Sequence, residues 1–377
     1  MAVNLVIGLN FLLFIGVNAA RVVISLYALE LGASPSAIGG IIAMLYIFPL
    51  LLSWPIGVLS DRFGGRWLLV IGAAGGALGM LVAALYPGLP ALYVAAAMTG
   101  LTIAFAGVIC QNLVGVLSKP QERTRNFSNY ATIGSLCNFF GPLFAGLVID
   151  QAGFSVACVG VAAQSLLAIA ILALWGGVLP PARRRTLQKS NLLRTLADRR
   201  LWGMLAVSSL STLGNDLYQA FFPIYAHGLG LSASAIGGML AAMAIGSFGA
   251  RLLMPRLIAQ AGEARLLAGA FCLAGAAFLL LPLTGGSALL TAISVVFGIS
   301  LGCSQPLTMM LMFSQAAEGR SGETVGLRMT VCNVARIAGP ALFGALGSAL
   351  GLIAVFWICA VLMGSGGWIS RPGNTSR

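Results

Sequence analysis

Arg21 stands in "VNAARVVISL" (residues 17–26), a run that is otherwise almost unbroken hydrocarbon. A charge in such surroundings costs about 2.5–3.5 kcal/mol on insertion scales, so its default reading is a functional group facing a cavity or a partner. Asn18 lies one turn before Arg21, with Asn10 further back. A later segment carries Asn215, Asp216 and Gln219, and another carries Asn333 and Arg336. Residues three apart share a helix face, so each group forms a polar stripe. Arginine offers a two-pronged donor to a carboxylate or phosphate. Burial favours the protonated form of a carboxylate and a nearby arginine favours the charged form, so Asp216 is placed to pick up and release a proton. Two deep arginines against one acid predict a positive site that suits an anionic solute. The alternative is a structural Arg21–Asp216 salt bridge, which would leave Arg336 without an acidic partner at its depth. Arg251 and Arg328 lie nearer the ends of their segments and are expected to snorkel to the membrane surface. Tyr27, Tyr46, Tyr130, Tyr218 and Tyr225 sit near the same faces as pocket lining or as packing.

The elements that must position these residues are membrane helices. The chain of 377 residues is 59% hydrophobic and 8% charged, with a mean hydropathy of +0.98. Twelve apolar stretches long enough to cross a hydrocarbon core follow one another, at roughly 5–29, 37–59, 68–86, 91–117, 127–149, 153–178, 201–226, 233–254, 265–284, 287–313, 325–347 and 351–369. The fold expected is therefore an all-α membrane protein. No cleavable signal is expected ahead of the first span. Lys and Arg number 21 against 9 acids. Apart from Arg21, Arg251, Arg328 and Arg336, all the basic residues fall on one side of the twelve-span arrangement, while the other side carries Glu30, Asp150 and His227. That asymmetry predicts cytoplasmic termini and a bilayer, not nucleic acid, as the partner of the basic surface. The seven cysteines show no paired or metal-type spacing and read as packing residues, so neither metal nor cofactor is expected.

The chain also repeats itself. "YALELGASPSAIGG" from Tyr27 and "YAHGLGLSASAIGG" from Tyr225 agree at ten of fourteen positions, at an offset of 198. The same offset pairs Gly64 with Gly262, Gly100 with Gly298, Gly141-Pro142 with Gly339-Pro340, Asn18 with Asp216, Arg21 with Gln219 and Asn138 with Arg336. Two six-helix halves, 1–179 and 201–377, are expected around a charged linker, 180–200. Parallel repeats of this kind rock about a site near mid-membrane.

"GVLSDRFGGRWLL" (Gly57 to Leu69), at the end of the second span, resembles the signature of the major facilitator superfamily in Gly57, Leu59, Asp61, Arg62, Gly64 and Arg66, with Gly65 where a basic residue is usual. The resemblance covers the whole chain and implies that Gly57, Asp61, Arg62, Gly64 and Arg66 form a conformational latch on the cytoplasmic face. On residue chemistry alone, Asp61 suits a helix N-terminus or an arginine such as Arg125. The second copy of this stretch has Ala259 where the first has Asp61, so the latch is expected to be one-sided. "CNFFGPLFAG" (Cys137 to Gly146) partly resembles the Gly-Pro motif of proton-driven exporters, and Gly141-Pro142 and Gly339-Pro340 are expected to kink their helices. Those exporters also resemble one another in an arginine four residues before a glycine of the fourth helix; here that place holds Ala96. The resemblance further implies that the first and seventh helices line the central cavity, which makes Asn18, Arg21, Tyr27, Asn138, Gln219, Asn333 and Arg336 the substrate-binding candidates and Asp216 the proton-coupling one.

The function expected is secondary active transport of a small organic solute, anionic or amphipathic, by a proton-coupled monomer in a bacterial inner membrane, with export favoured. Proton-coupled uptake of an organic anion or siderophore-like chelate is the alternative, and a non-transporting sensor or scaffold is the rival of another class. An enzyme is disfavoured. "GISLG" (Gly298 to Gly302) imitates a nucleophile elbow, but it lies inside a span and a single histidine supports no triad around Ser300.

Overall fold

The computed structural model of the chain describes residues 2–33, 35–180, 199–231, 233–316 and 320–370, so most of the expected linker 180–200 lies outside the described residues. Among the described residues all regular structure is helical. The first helices are α1 (Ala2–Glu30), α2 (Pro35–Phe63), α3 (Gly65–Leu85) and α4 (Leu89–Leu117). The run Arg123–Trp175 is two helices, α5 before Gly153 and α6 after it, because Gly153 breaks the helical path at φ 80° and ψ 176°. Then come α7 (Arg199–Gly228), α8 (Ala233–Ala261), α9 (Glu263–Leu280), α10 (Ser287–Ser314), α11 (Ser321–Leu350) and α12 (Leu352–Ile369). Nine of the described helical stretches are long and apolar enough to cross a membrane. The two that carry Asp216 and Arg336, α7 and α11, are not among the nine.

The chain divides into two compact units. One holds Met1–Asn126, Thr132–Ser190 and Ala316–Asn333; the other holds Phe127–Ala131, Asn191–Gln315 and Val334–Arg377. The division thus departs from the sequence halves in two places. The start of α11 is counted with the first unit and a short stretch of α5 with the second.

The repeat is built into the backbone of both units. Gly32, Gly64 and Gly153 have φ of 75°, 78° and 80°, and Gly230, Gly262 and Gly351 have 80°, 79° and 85°. These are three pairs at the offset of 198, each where the chain must turn sharply from one helix into the next through a left-handed conformation. Packing repeats as well. In the first unit α4 packs on α1, α2 and α3; in the second α10 packs on α7, α8 and α9. Gly100 of α4 lies against the Leu45 carbonyl of α2, and its counterpart Gly298 of α10 lies against the Met243 carbonyl of α8. Small residues let two backbones approach where lipid gives no hydrophobic drive for association. The Thr102 hydroxyl donates to the Gly72 carbonyl at 2.8 Å, and Ser300 donates to the Ala270 carbonyl at 2.7 Å, again one pair per unit. Ser300 is therefore a buried bond between α10 and α9 rather than a nucleophile.

Replacing Gly100 or Gly298 by Leu drives a side chain into a neighbouring carbonyl and should destabilise the fold by about 1–3 kcal/mol. Gly249, whose Cβ position meets nothing within 4 Å, should accept Ala without loss. Thermal unfolding in detergent checks this; equal midpoints for all three variants would contradict the close-approach reading.

Candidate functional site

In the second unit the polar stripe of α7 forms one connected network. Arg336 Nε lies 3.0 Å from Asp216 Oδ2, with side chains 36% and 18% exposed. Asn215 donates to Asp216 Oδ1 at 3.1 Å, and Gln219 donates to Asn215 Oδ1 at 3.0 Å. The acid therefore has a guanidinium on one oxygen and an amide on the other, in surroundings that water still reaches. Of the two deep arginines weighed against this acid, Arg336 is the one that pairs with it inside this unit. Asp216 serves Arg336, one turn beyond Asn333 on α11.

In the first unit Arg21 is partly buried on α1, with its guanidinium carbon 5.8 Å from the centroid of the Tyr46 ring on α2. Its Nε is buried, and among the described residues it has no hydrogen-bond partner. Asn18 donates to the Phe14 carbonyl of its own helix and is 8% exposed. Tyr27 is stacked on Phe154 with ring centroids 4.9 Å apart, which makes it a packing residue of this unit. Asn138 is exposed on α5. Asn333 is 2% exposed, and its Nδ2 has no partner among the described residues. A cavity of about 10 Å³ lined by Gly16, Thr99, Thr102 and Ser165 lies in the core of the unit. It has room for about one water and none for an organic solute.

Tyr218 is likewise core. Its ring stacks on Phe222 and Phe297 at 4.9 and 4.2 Å, and its hydroxyl meets Ser294 at 2.7 Å. Ser294 is the counterpart of Ala96, which is fully buried in the first unit.

The loop motif is assembled as a helix cap. Asp61 accepts from the backbone N–H groups of Gly322 and Glu323 at 2.8 and 2.9 Å, the first turn of α11. Those donors have no partner within their own helix, and the helix dipole favours a negative charge there. Asn112 of α4 donates to Ser60 at 3.1 Å and to Asp61 at 3.5 Å. Gly57 permits the approach, since a Cβ there would run into the Gly322 carbonyl. Of the two partners open to Asp61 it is the helix N-terminus that holds it; Arg125 pairs instead with Glu122 at 3.6 Å. Arg62 is exposed and lies over Phe63 at 5.1 Å. Arg66 donates to the Ala173 carbonyl at the end of α6 at 3.1 Å. Gly64 makes the turn into α3.

Gly141 lies against Ile15 and Asn18 of α1, and Gly339 against Leu213 of α7, so both glycines are places of close helix approach. Pro142 sits in a helical stretch whose non-helical residue is Gly153. The side chain of Pro340 lies outside the described residues. Arg251 and Arg328 do not snorkel. They are 5% and 4% exposed. Arg328 donates to Gln111 Oε1 at 3.2 Å; Arg251 donates to the Ala131 carbonyl at 3.0 Å and to Gln305 Oε1 at 3.2 Å. Gln111, Asn112 and Gln305 escaped the sequence reading. Their signal was an uncharged amide in an otherwise apolar helix, which draws less notice than a charge.

Comparison with known proteins covers nearly the whole chain. The profile of the Major Facilitator Superfamily matches residues 6–340. An uncharacterised MFS-type transporter of Methanocaldococcus jannaschii is 22% identical over 365 residues, covering 93% of this chain and 92% of that protein. The class H tetracycline resistance protein of Pasteurella multocida is 30% identical over 112 residues, 29% of this chain and 28% of that protein. Among solved structures, the human organic anion transporter MFSD10 (TETRAN) is similar, with a TM-score of 0.76 at 17% identity, covering 98% of this chain and 100% of that one.

Charge-assisted hydrogen bonds contribute about 1.5–3 kcal/mol, and about 1.4 kcal/mol is a factor of ten. Asp61→Ala should therefore raise amide hydrogen exchange at Gly322 and Glu323 at least tenfold. Unchanged protection at both amides would remove Asp61 as the cap.

Proposed function

The chain belongs to the major facilitator superfamily, a multi-pass family of membrane transporters rather than enzymes, and on that premise we propose that it moves a small organic anion or amphipathic anionic solute by proton-coupled alternating access. The observation that carries this reading is the charge balance. Asp216 is engaged by Arg336, which leaves Arg21 as a deep guanidinium whose buried Nε has no partner among the described residues. A substrate carboxylate or phosphate supplies the missing charge, and the Tyr46 ring beside Arg21 offers a flat surface to the organic part. Asn18, Asn138 and Asn333, counted with the same unit as Arg21, are the further polar contacts of this reading. The similarity in fold to a human organic anion transporter supports the substrate class.

Asp216 is the proton-coupling residue in this reading. It is the acid joined to a deep arginine, and Ala96 leaves no ionisable group at the fourth-helix position that exporters use. Export is favoured by the partial likeness to the tetracycline resistance protein and by the Gly-Pro element of α5. A second reading, proton-coupled uptake, is favoured by the Asp216–Arg336 pair itself. Protonating Asp216 releases Arg336 as a second cation, so proton and anion then bind together. The one-sided distribution of basic residues supports cytoplasmic termini in a bacterial inner membrane, and in this reading Asp61 with the start of α11 is the cytoplasmic latch. The protein works as a monomer.

In proteoliposomes offered organic acids, siderophore-like chelates and amphipathic drugs, Arg21→Ala should lower flux of the transported anions at least tenfold, and Asp216→Asn should abolish the response to a pH gradient. The direction of that response separates export from uptake. Equal flux of every compound by the intact protein and Arg21→Ala would sink the anion site.

A further inference from the structure

The offset of 198 that superposes the halves also exposes a place where their chemistry parts company. In the first unit Ser53 of α2 faces Gly326 of α11, whose Cβ position runs into the Ser53 carbonyl. Close by, Gly107 of α4 abuts the Met329 side chain, with 3.1 Å between its Cβ position and the methyl group. Small and apolar residues close this contact. The counterparts of Ser53, Gly326, Gly107 and Met329 are Arg251, Ser128, Gln305 and Ala131. In the second unit these four positions form a polar clasp. Ser128 donates to the Arg251 carbonyl at 2.7 Å, and the Arg251 guanidinium reaches the Ala131 carbonyl at 3.0 Å and Gln305 Oε1 at 3.2 Å. Phe127 lies against Phe313 at 6.1 Å beside it.

The residues clasped, 127–131, are a stretch of α5 counted with the second unit, whereas the rest of that helix belongs to the first. Where the first unit holds the start of α11 through Asp61, the equivalent position in the second is Ala259. The acid is missing, and a buried arginine stands about two turns earlier on the same helix.

We propose that Arg251 is a second conformational latch, of opposite charge to the first, which fastens the start of α5 to α8 and α10 and lets go when the transporter changes state. It is a positioning residue and does not touch substrate. A guanidinium bonded to a main-chain carbonyl suits the task, because the bond can break without stranding a buried anion, and Gln305 retains one of the guanidinium bonds. The idea rests on the transport reading, since a latch presupposes two states, but its test needs no substrate.

Cys303 on α10 supplies a native reporter. It is 3% exposed and stands two residues before Gln305, the side chain that accepts from Arg251. Cys110, fully buried in α4 of the first unit, serves as the reference. The full-length protein in detergent would be treated with N-ethylmaleimide, and the rate at each cysteine read by mass spectrometry. Arg251→Met keeps much of the side-chain volume and removes the donors; it should raise the Cys303 rate about tenfold and leave Cys110 unchanged, a change worth about 1.4 kcal/mol. Ser128→Ala, a smaller change that keeps the fold, should raise it two- to threefold, and Arg251→Lys should fall between. Wild-type rates at Cys303 in every folded variant would overturn the proposal, as would a parallel rise at Cys303 and Cys110, which marks general loosening. If Arg251→Met does not fold, the Ser128→Ala rate decides alone. A responsive Cys303 in a protein that moves no solute would overturn the transport reading and leave the clasp standing.

Discussion

A carboxylate and a guanidinium placed deep in a hydrophobic protein are tolerable chiefly as a pair, and the 3.0 Å contact of Arg336 with Asp216 is the interaction on which the functional reading turns. Within its own unit Asp216 is engaged by Arg336. In the proposed function a solute anion meets the positive charge of Arg21 on α1. With side chains 36% and 18% exposed, the pair stays within reach of water.

The scaffold that holds these residues is simple in its repeating parts. Glycine turns, glycine-to-carbonyl contacts and single hydroxyl-to-carbonyl bonds recur in both units at one spacing, as at Gly64 and Gly262 or Thr102 and Ser300. None of these places carries a charge, which lets each half conserve its own packing while the polar positions diverge. Asn18 and Asp216 occupy equivalent sites, as do Arg21 and Gln219. The repeat is thus a common frame on which two different sets of chemistry are mounted.

Turn glycines and hydrophobic length depend on local backbone rules, so the helices, the repeat and the loop motif could be read from sequence alone. Partner choice could not. The spacing of Asn333 and Arg336 says that they share a face but not which helix that face meets, and so it does not name the arginine that pairs with Asp216. Arg251 and Arg328 were assigned to the membrane surface because glutamines on other helices, Gln305 and Gln111, carry no charge to betray them. Residue type leaves Tyr27 and Tyr218 open to a pocket or a packing role, packing being favoured for each singly, and Phe154 and the Phe222–Phe297 stack against them make them packing residues. In each case the missing information is how helices face one another, a property of tertiary packing and not of any one segment.

The central claim is that Asp216 neutralises Arg336 and leaves Arg21 to bind an anion, and equilibrium binding of a fluorescent organic anion to the purified protein tests it most directly. The account predicts that Arg21→Gln weakens binding at least tenfold, whereas Asp216→Asn, by freeing Arg336, leaves the affinity unchanged or raises it. Binding that is lost in Asp216→Asn and untouched in Arg21→Gln would contradict it.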